Sequence, residues 1–147
     1  VGHYMDRQEA ELRRRLDETG VRVKREGDRI RLIMPGNVTF AVDSARIRPQ
    51  FDRVLTDVGI VLDEFKKTYV QVEGHTDSRG PADYNETLSR QRAQSVARAL
   101  IDEGIRAERF VIRAMGERQP IASNATQSGR QRNRRAEIQL LPHTKES

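Results

Sequence analysis

Residues 69–104, YVQVEGHTDSRGPADYNETLSRQRAQSVARALIDEG, contain a strand, a polar loop and a helix in direct succession. Two valines alternate with polar residues over Tyr69–Glu73, which predicts a strand with one apolar face. The next segment, Gly74–Tyr84, is polar and contains a Gly-Pro pair, which predicts a loop. Apolar residues then recur at helical spacing as far as Glu103, where Gly104 supplies a stop signal.

The flanking elements continue this alternation in both directions. Apolar spacing predicts a first main helix over Pro49–Lys67, and short apolar runs predict strands over Phe110–Met115 and Ala136–Leu141. We also predict a short strand over Val38–Val42 and a long polar loop over Gly116–Gly129. The order strand, helix, strand, helix, strand, strand predicts the α+β class, with two main helices on one face of a mixed parallel and antiparallel sheet.

The beginning of the chain reads differently. His3–Glu18 predicts a polar helix whose apolar stripe is thin, so we expect it to pack weakly or to bridge to another molecule. Val21–Met34 predicts a β-hairpin with its turn at Glu26-Gly27-Asp28. We therefore divide the chain into a polar helix at residues 1–20, leading in from an upstream segment, and one domain at residues 21–147.

Composition bounds the function. The 27 lysines and arginines exceed the 22 acidic residues, which gives a net charge of +5 and favours anionic partners. The absence of cysteine excludes disulfides, thiolate catalysis and cysteine metal sites. No apolar run approaches the roughly 20 residues that a membrane-spanning helix needs.

One charged residue lies on the apolar face of the predicted second helix. Arg92 is four residues after Leu88 and four before Val96, and so shares their face. A guanidinium is almost never buried without a partner. Arg92 therefore has an internal ion pair, extends its head group to solvent, or lines a cleft that an anion enters. Asp83 and Glu86 have capping-box spacing for the start of this helix.

An acidic residue stands in the preceding loop. Asp77 lies 15 residues before Arg92 (92 − 77 = 15), just after a strand end, where loops gather and carry function. By itself it is equally well explained as a residue that stabilises a turn. Together with Arg92 it would form a receptor for a zwitterion, because the carboxylate binds an ammonium and the guanidinium binds a carboxylate.

The segment Gly74-His75-Thr76-Asp77, followed by Gly80, Asn85, Leu88-Ser89 and Arg92-Ala93, resembles the signature of the OmpA-like C-terminal domain. That domain also occurs in peptidoglycan-associated lipoprotein and in flagellar-stator B subunits. Further matching blocks are Phe40–Ala45, then Gly116 with Pro120 and Asn124, and Asn133–Ile138. The likeness runs from about Val38 to Leu141, and the start of the chain resembles OmpA-family outer-membrane lipoproteins.

The resemblance implies a non-catalytic domain, without cofactor or metal, that binds peptidoglycan and anchors the outer membrane to the cell wall from the periplasm. It implies that Asp77 and Arg92 hold the free amino-acid end of diaminopimelate in the stem peptide. The further pocket residues that it implies are Thr76, Asn85 and Asp43, with Leu88 as an apolar wall. Membrane attachment would come from a segment before Val1, and a homodimer is compatible with the sequence.

Other functions are less well supported. The cluster Arg130–Arg135 would attract phosphate, but aromatic residues make up only 5% of the chain, so we expect no nucleic-acid partner. His75 and Asp77 have a spacing that begins some metal sites, yet a third ligand is missing, and Ser78 crowds the same loop without an oxyanion hole. A protein-interaction or scaffold module of the cell envelope, without ligand binding, is the alternative we keep.

Two residues near Asp77 stay without an assigned role. Arg79 places a positive charge where it would repel an ammonium or bind the glycan or a second carboxylate. His75 lies at a position where the family tolerates change, so we give it no function.

Overall fold

The computed structural model describes residues 1–143. Five strands form one sheet in the order β1-β2-β5-β3-β4, in which β3 and β4 run parallel and the other neighbours are antiparallel. The strands are β1 (Arg22–Glu26), β2 (Arg29–Pro35), β3 (Thr68–His75), β4 (Phe110–Gly116) and β5 (Arg135–Pro142). The helices are α1 (Gly2–Leu16), α2 (Gly36–Thr39), α3 (Asp52–Glu64), α4 (Ala82–Asp102) and α5 (Gln127–Asn133), with 3-10 turns at Pro49–Phe51 and Ala107–Arg109. The predicted α+β class with a mixed sheet is confirmed.

The core lies between one face of the sheet and the helices α1, α3 and α4. Alternate strand residues such as Leu32, Val72 and Ile138 are fully buried there, against apolar residues such as Val58 of α3 and Val96 of α4. The period of two in the strands and of 3.6 in the helices places these side chains on facing surfaces. Within the described residues, no helix is long and apolar enough to cross a membrane.

The N-terminal helix is better packed than its thin apolar stripe suggests. Met5, Leu12 and Leu16 of α1 are almost completely buried and belong to the same core as α3 and the sheet. Arg25 adds an ion pair to Glu9 of α1 at 2.9 Å. The expectation of weak packing is therefore wrong, because three well-spaced large side chains suffice to seat a helix whose other faces are polar.

Three local predictions are also wrong. Val38–Val42 is not a strand: α2 ends at Thr39, and only Phe40 forms an isolated bridge, to Ile47. The predicted loop after Gly116 ends in helix α5, where the Thr126 hydroxyl accepts a hydrogen bond from the Gly129 backbone N–H at 3.0 Å. The capping box does not form, since α4 begins at Ala82 after Pro81, and the Asp83 carboxylate accepts from the Tyr84 N–H rather than from that of Glu86.

Candidate functional site

The loop between β3 and α4 is held close to the sheet. Gly74 makes this possible, because a Cβ atom at this position would overlap the backbone carbonyl of Ser89, so α4 packs directly on β3. The backbone N–H of Thr76 donates to the Gly116 carbonyl at 2.8 Å, and the Ser89 hydroxyl accepts from the Gly116 N–H at 3.1 Å. The loop therefore leaves the sheet at a fixed point above the first turns of α4.

Asp77 is 6% exposed and has partners on both carboxylate oxygens. Its Oδ1 accepts a hydrogen bond from the backbone N–H of Arg79 at 2.9 Å, the local turn that the sequence offered as an alternative role. Its Oδ2 forms an ion pair with Nη1 of Arg134, just before β5. The Nε of Arg79 lies 3.9 Å from the same oxygen. Asp77 is thus both a turn residue and an ion-pair partner.

Two further buried polar residues fix the shape of this loop. The Asn85 side-chain amide donates to the Arg79 carbonyl at 2.9 Å and to the Asp77 carbonyl at 3.5 Å. The Thr76 hydroxyl donates to the Asp77 carbonyl at 2.9 Å. Because these bonds go to backbone oxygens, they leave the Asp77 carboxylate free to contact Arg134 and Arg79.

Arg92 is 8% exposed on the inner face of α4, and its head group is only partly satisfied. Its Nε donates to the Ser44 carbonyl at 2.8 Å, and its Cζ lies 4.8 Å from the centre of the Phe40 ring, within cation–π distance. Burial lowers the pKa of Arg92, and Asp43 and Tyr84 only partly offset this. Among residues 1–143, no carboxylate lies within ion-pair distance of Arg92.

Arg92 and Asp77 open onto one cleft of about 700 Å³, within the range of ordinary ligand pockets. All six residues singled out by the sequence line it: Asp43, Thr76, Asp77, Asn85, Leu88 and Arg92. Asp43 is exposed on a tight turn with φ of 51°, and Leu88 is half-buried. The cleft also includes residues that sequence reasoning did not select: Phe40, Arg48, Tyr84 and Arg134.

The cleft has more positive than negative charge. Four arginines line it, at positions 48, 79, 92 and 134, against the two carboxylates Asp43 and Asp77. The Nε of Arg48 donates to the Asn37 carbonyl at 2.9 Å. Since Arg134 already neutralises Asp77, the open positive charge lies around Arg92 and Arg48. The cleft is therefore suited to a ligand with carboxylates in excess.

Sequence reasoning did not select Arg134, because it lies just before the predicted last strand and far in sequence from Asp77 and Arg92. It comes directly after α5, a helix that the sequence analysis did not predict, and its backbone carbonyl accepts from Gly36 N–H at 2.9 Å. The signal was present as the adjacent arginines of Asn133-Arg134-Arg135, because consecutive residues of extended backbone point to opposite sides. Arg134 faces the cleft, whereas Arg135 is buried beside Glu137.

The residues once considered for catalysis lie apart. His75 is buried on the opposite face of the sheet and does not line the cleft. Its Nε2 lies 2.9 Å from Glu73 Oε1, and ligand atoms of Glu73, His75 and Glu137 all lie within 4.8 Å of one another. Arg31 and Arg135 approach the Glu137 carboxylate at 3.1 and 2.6 Å, so its charge is already balanced. We assign this group to structure, and His75 and Asp77 do not form a joint site.

Comparison with known proteins agrees with this geometry. The OmpA family profile matches residues 39–134. The chain is 52% identical over 142 residues to "Probable lipoprotein YiaD" of Escherichia coli strain K12, covering 97% of this chain and 65% of that protein. The chain thus spans less than two thirds of that relative.

Two solved structures share the fold. The cell wall anchor of the T6SS from Pseudomonas aeruginosa has 35% identity and a TM-score of 0.81, covering 90% of this chain and 97% of the other. The peptidoglycan-associated lipoprotein from Burkholderia pseudomallei has 26% identity and a TM-score of 0.65, covering 74% and 88%. These proteins are envelope lipoproteins and anchors, as the resemblance implied. The profile match covers most of the described domain, including the β3–α4 loop and Arg92, and the chain belongs to the OmpA family.

Proposed function

We propose that this chain binds peptidoglycan non-covalently in the periplasm and links the outer membrane to the cell wall. In this proposal, the free amino-acid end of diaminopimelate enters the cleft between Asp77 and Arg92. The names of the relatives support the general role, since they include a cell wall anchor and a peptidoglycan-associated lipoprotein. The role is one of recognition, without catalysis or a cofactor.

The buried guanidinium of Arg92 carries the proposal. Burial removes water from a charge, and neither the Ser44 carbonyl nor the Phe40 ring neutralises it. A carboxylate entering the cleft would supply the missing charge and accept bidentate hydrogen bonds from the two terminal nitrogens. The internal ion pair that would explain Arg92 without a ligand is absent among residues 1–143.

Asp77 supplies the complementary charge. An ammonium group of the ligand would bind the Asp77 carboxylate together with Arg134. The backbone N–H of Arg79 donates to the same carboxylate and holds the loop in its turn conformation. Thr76 and Asn85 act through backbone carbonyls and position the acid. Leu88 forms an apolar wall against the aliphatic part of diaminopimelate. Asp43 lies at the exposed edge of the cleft.

Calorimetric titration tests the ligand. A stem peptide that contains diaminopimelate is compared with one that contains lysine, which lacks the second carboxylate at the end of its side chain. We expect selective binding of the diaminopimelate peptide, because Arg92 has nothing to pair with in the lysine form. Binding of neither peptide would favour the alternative, a protein-interaction or scaffold module of the cell envelope.

Substitutions in the cleft test the residues. Arg92→Ala and Asp77→Ala should each weaken binding by about 2–5 kcal/mol, roughly thirty-fold or more, because each leaves the partner charge of the ligand desolvated and unpaired. Sedimentation with purified sacculi and calorimetry both report this loss. Asp77→Asn separates charge from structure, since an amide oxygen can still accept from the Arg79 N–H.

Matched controls come from the same helix. Arg90→Ala and Asp83→Ala remove exposed charges outside the cleft and should bind like the parent chain. If either Arg92→Ala or Asp77→Ala still sediments completely with sacculi, while folded by circular dichroism, the cleft is not the binding site.

A further inference from the structure

A second groove lies beside β2 and α5, and the proposed function makes no use of it. It encloses about 480 Å³ and is floored by Ile33, Pro35, Val38 and Ile121. Ile33 belongs to β2, where its neighbours in sequence, Leu32 and Met34, face the core, so Ile33 faces the opposite side of the sheet. We call this depression the β2–α5 groove.

The floor of the groove is held in place by burial and by hydrogen bonds. Ile33 is only 4% exposed, although α1, α3 and α4 pack on the other side of the sheet. The Ile121 backbone N–H donates to the Asn133 side chain at 2.8 Å, which holds the loop that carries Ile121 against the end of α5. An apolar floor fixed by a buried polar residue is typical of a pre-formed binding site.

Two free arginines flank the floor. Arg22, on β1, pairs across the strands with Ile33, and Arg132 lies on α5. Both are exposed, and within the described part of the chain neither side chain has a hydrogen-bond or ion-pair partner. Among residues 1–143 no acidic side chain lines the groove, and its third arginine, Arg135, is occupied by Glu137, Asn133 and Gln119. The groove therefore presents an apolar centre between two unneutralised positive charges.

The apolar floor between two arginines indicates which kind of ligand fits the groove. A phosphate backbone would gain nothing from the apolar floor, and no aromatic side chain lines the groove to stack with bases. A peptide with an apolar side chain between carboxylates matches both the floor and the rim. The adjacent strand β1 is at the edge of the sheet and, within residues 1–143, pairs with β2 alone, so an extended peptide that leaves the groove past Arg22 meets its free backbone groups.

We propose that the β2–α5 groove is a docking site for an extended acidic segment of a partner protein, with an apolar side chain seated between Arg22 and Arg132. The groove and the peptidoglycan cleft have different floors and different free charges, and Asn37 is the one lining residue they share. The chain can then hold a protein partner on one surface while the cleft on the other binds the wall.

Selection from a display library of random linear peptides tests the proposal. The whole chain serves as bait, and a variant carrying Arg22→Glu and Arg132→Glu serves for counter-selection. We expect the enriched peptides to share an apolar residue flanked by acidic ones. The most enriched peptide is then titrated into the isotope-labelled chain. The shifts of the chain's backbone amide signals are assigned to residues, which locates the peptide.

Three variants separate the contributions of charge and floor. Arg22→Glu with Arg132→Glu should weaken binding of the most enriched peptide roughly tenfold or more, because two attractive charges become repulsive. Ile121→Ser should weaken it without changing the net charge. Arg53→Glu with Arg98→Glu has the same net charge as the first variant, away from the groove, and should have little effect. All should sediment with sacculi like the parent chain.

The outcomes are distinguishable from a failure of the proposed function. Amide shifts confined to β1, β2 and α5, with loss in the groove variants alone, support docking whether or not sacculi bind. Several results overturn it: no enriched peptide that depends on Arg22 and Arg132, shifts centred on the cleft, or equal weakening by the Arg53 and Arg98 control. Binding of phosphatidylglycerol vesicles through the same arginines, without any peptide, also overturns it and assigns the surface to lipid.

Discussion

Two groups of buried charge lie on opposite faces of the sheet near the end of β3, and they are organised differently. On the face away from α3 and α4, the outer-face cluster consists of Glu73, His75, Arg135 and Glu137, with Arg31 at its edge. Each carboxylate there has hydrogen-bond donors at 2.5–3.1 Å. On the helix face, the cleft holds Arg92, which is buried to a similar degree without a carboxylate partner among the described residues.

This difference is the basis for our proposal that the first group is structural and that the cleft binds a ligand. Burial alone does not distinguish them, since Glu137 and Arg92 are 3% and 8% exposed. What differs is the local charge balance: in the outer-face cluster Arg31 and Arg135 both pair with Glu137 and Glu73 contacts His75, whereas the cleft has four arginines for two acids. Buried charges that are paired within the protein need no ligand, whereas a buried charge without a counter-charge favours binding of an anion from outside.

The largest effect should come from breaking the balanced group. Arg135→Met removes the guanidinium that donates to Glu137 at 2.6 Å and to two backbone carbonyls, and leaves a buried carboxylate short of a partner. We expect a loss of about 3–5 kcal/mol in the free energy of unfolding, measured by urea denaturation.

Arg92→Met makes the same chemical change in the cleft, and Arg98→Met makes it on the exposed side of α4. Both should cost far less stability, because neither leaves a buried carboxylate behind. A loss in Arg92→Met equal to that in Arg135→Met would mean that Arg92 is structural too, and the distinction between the two groups would fail.

The cleft was largely predictable from sequence, because its key residue contradicts the pattern around it. Helical spacing put Arg92 on the apolar face, and loop position picked out Asp77. Arg134 and Arg48 were not found, because they approach the cleft from segments distant in sequence, and Arg48 lies in irregular backbone with no period. A local sequence pattern predicts which face of one helix or strand a residue lies on. An ion pair such as Asp77–Arg134 depends instead on how distant elements pack together, which the pattern does not give.

The fold was predictable where elements are long and periodic. The helix over Ala82–Asp102 and the strands of the sheet are such cases. Predictions failed at short segments: Val38–Val42 alternates like a strand, yet Gly36 and its neighbours form one helical turn against Arg134. Helix α5 contains no large apolar residue, so its sequence shows no apolar spacing from which a helix could be predicted. The division of the chain at residue 20 stays a prediction.

A substitution at Gly74 should have a smaller effect, on both the stability of the fold and peptidoglycan binding. Gly74 lies on β3 between Glu73 and His75, and a Cβ there would overlap the Ser89 carbonyl of α4. Gly74→Ala should therefore separate α4 from β3, at a cost of about 1–3 kcal/mol in unfolding free energy, and weaken peptidoglycan binding as Arg92 moves. Urea denaturation and sacculus sedimentation measure the two losses. Gly2→Ala, where a Cβ meets nothing within 4 Å, is the control.

Removing the ligand's charge sharpens the comparison without altering the protein. Amidation of the diaminopimelate carboxylate leaves a hydrogen-bond acceptor but removes the charge that pairs with Arg92 in our proposal. We expect affinity to fall roughly tenfold in calorimetry, about 1.4 kcal/mol. A peptide amidated at another carboxyl group serves as the control. Equal affinity for both amidated peptides would remove Arg92 from the recognition of that carboxylate.

The smallest effect should appear when acid titrates the balanced group. Burial raises the pKa of Glu73, but hydrogen bonds from His75 and Gln71 outweigh it and hold the pKa below the ordinary 4.5. A carboxylate whose pKa is lower in the folded state stabilises the fold above pH 4.5, and this contribution is lost as the pH falls through the lowered pKa. Glu73→Gln should therefore be less stable than the parent chain near neutral pH, with the gap narrowing below pH 4.5. Urea midpoints across this range measure the gap, and a constant gap would show that the charge of Glu73 adds nothing to the outer-face cluster.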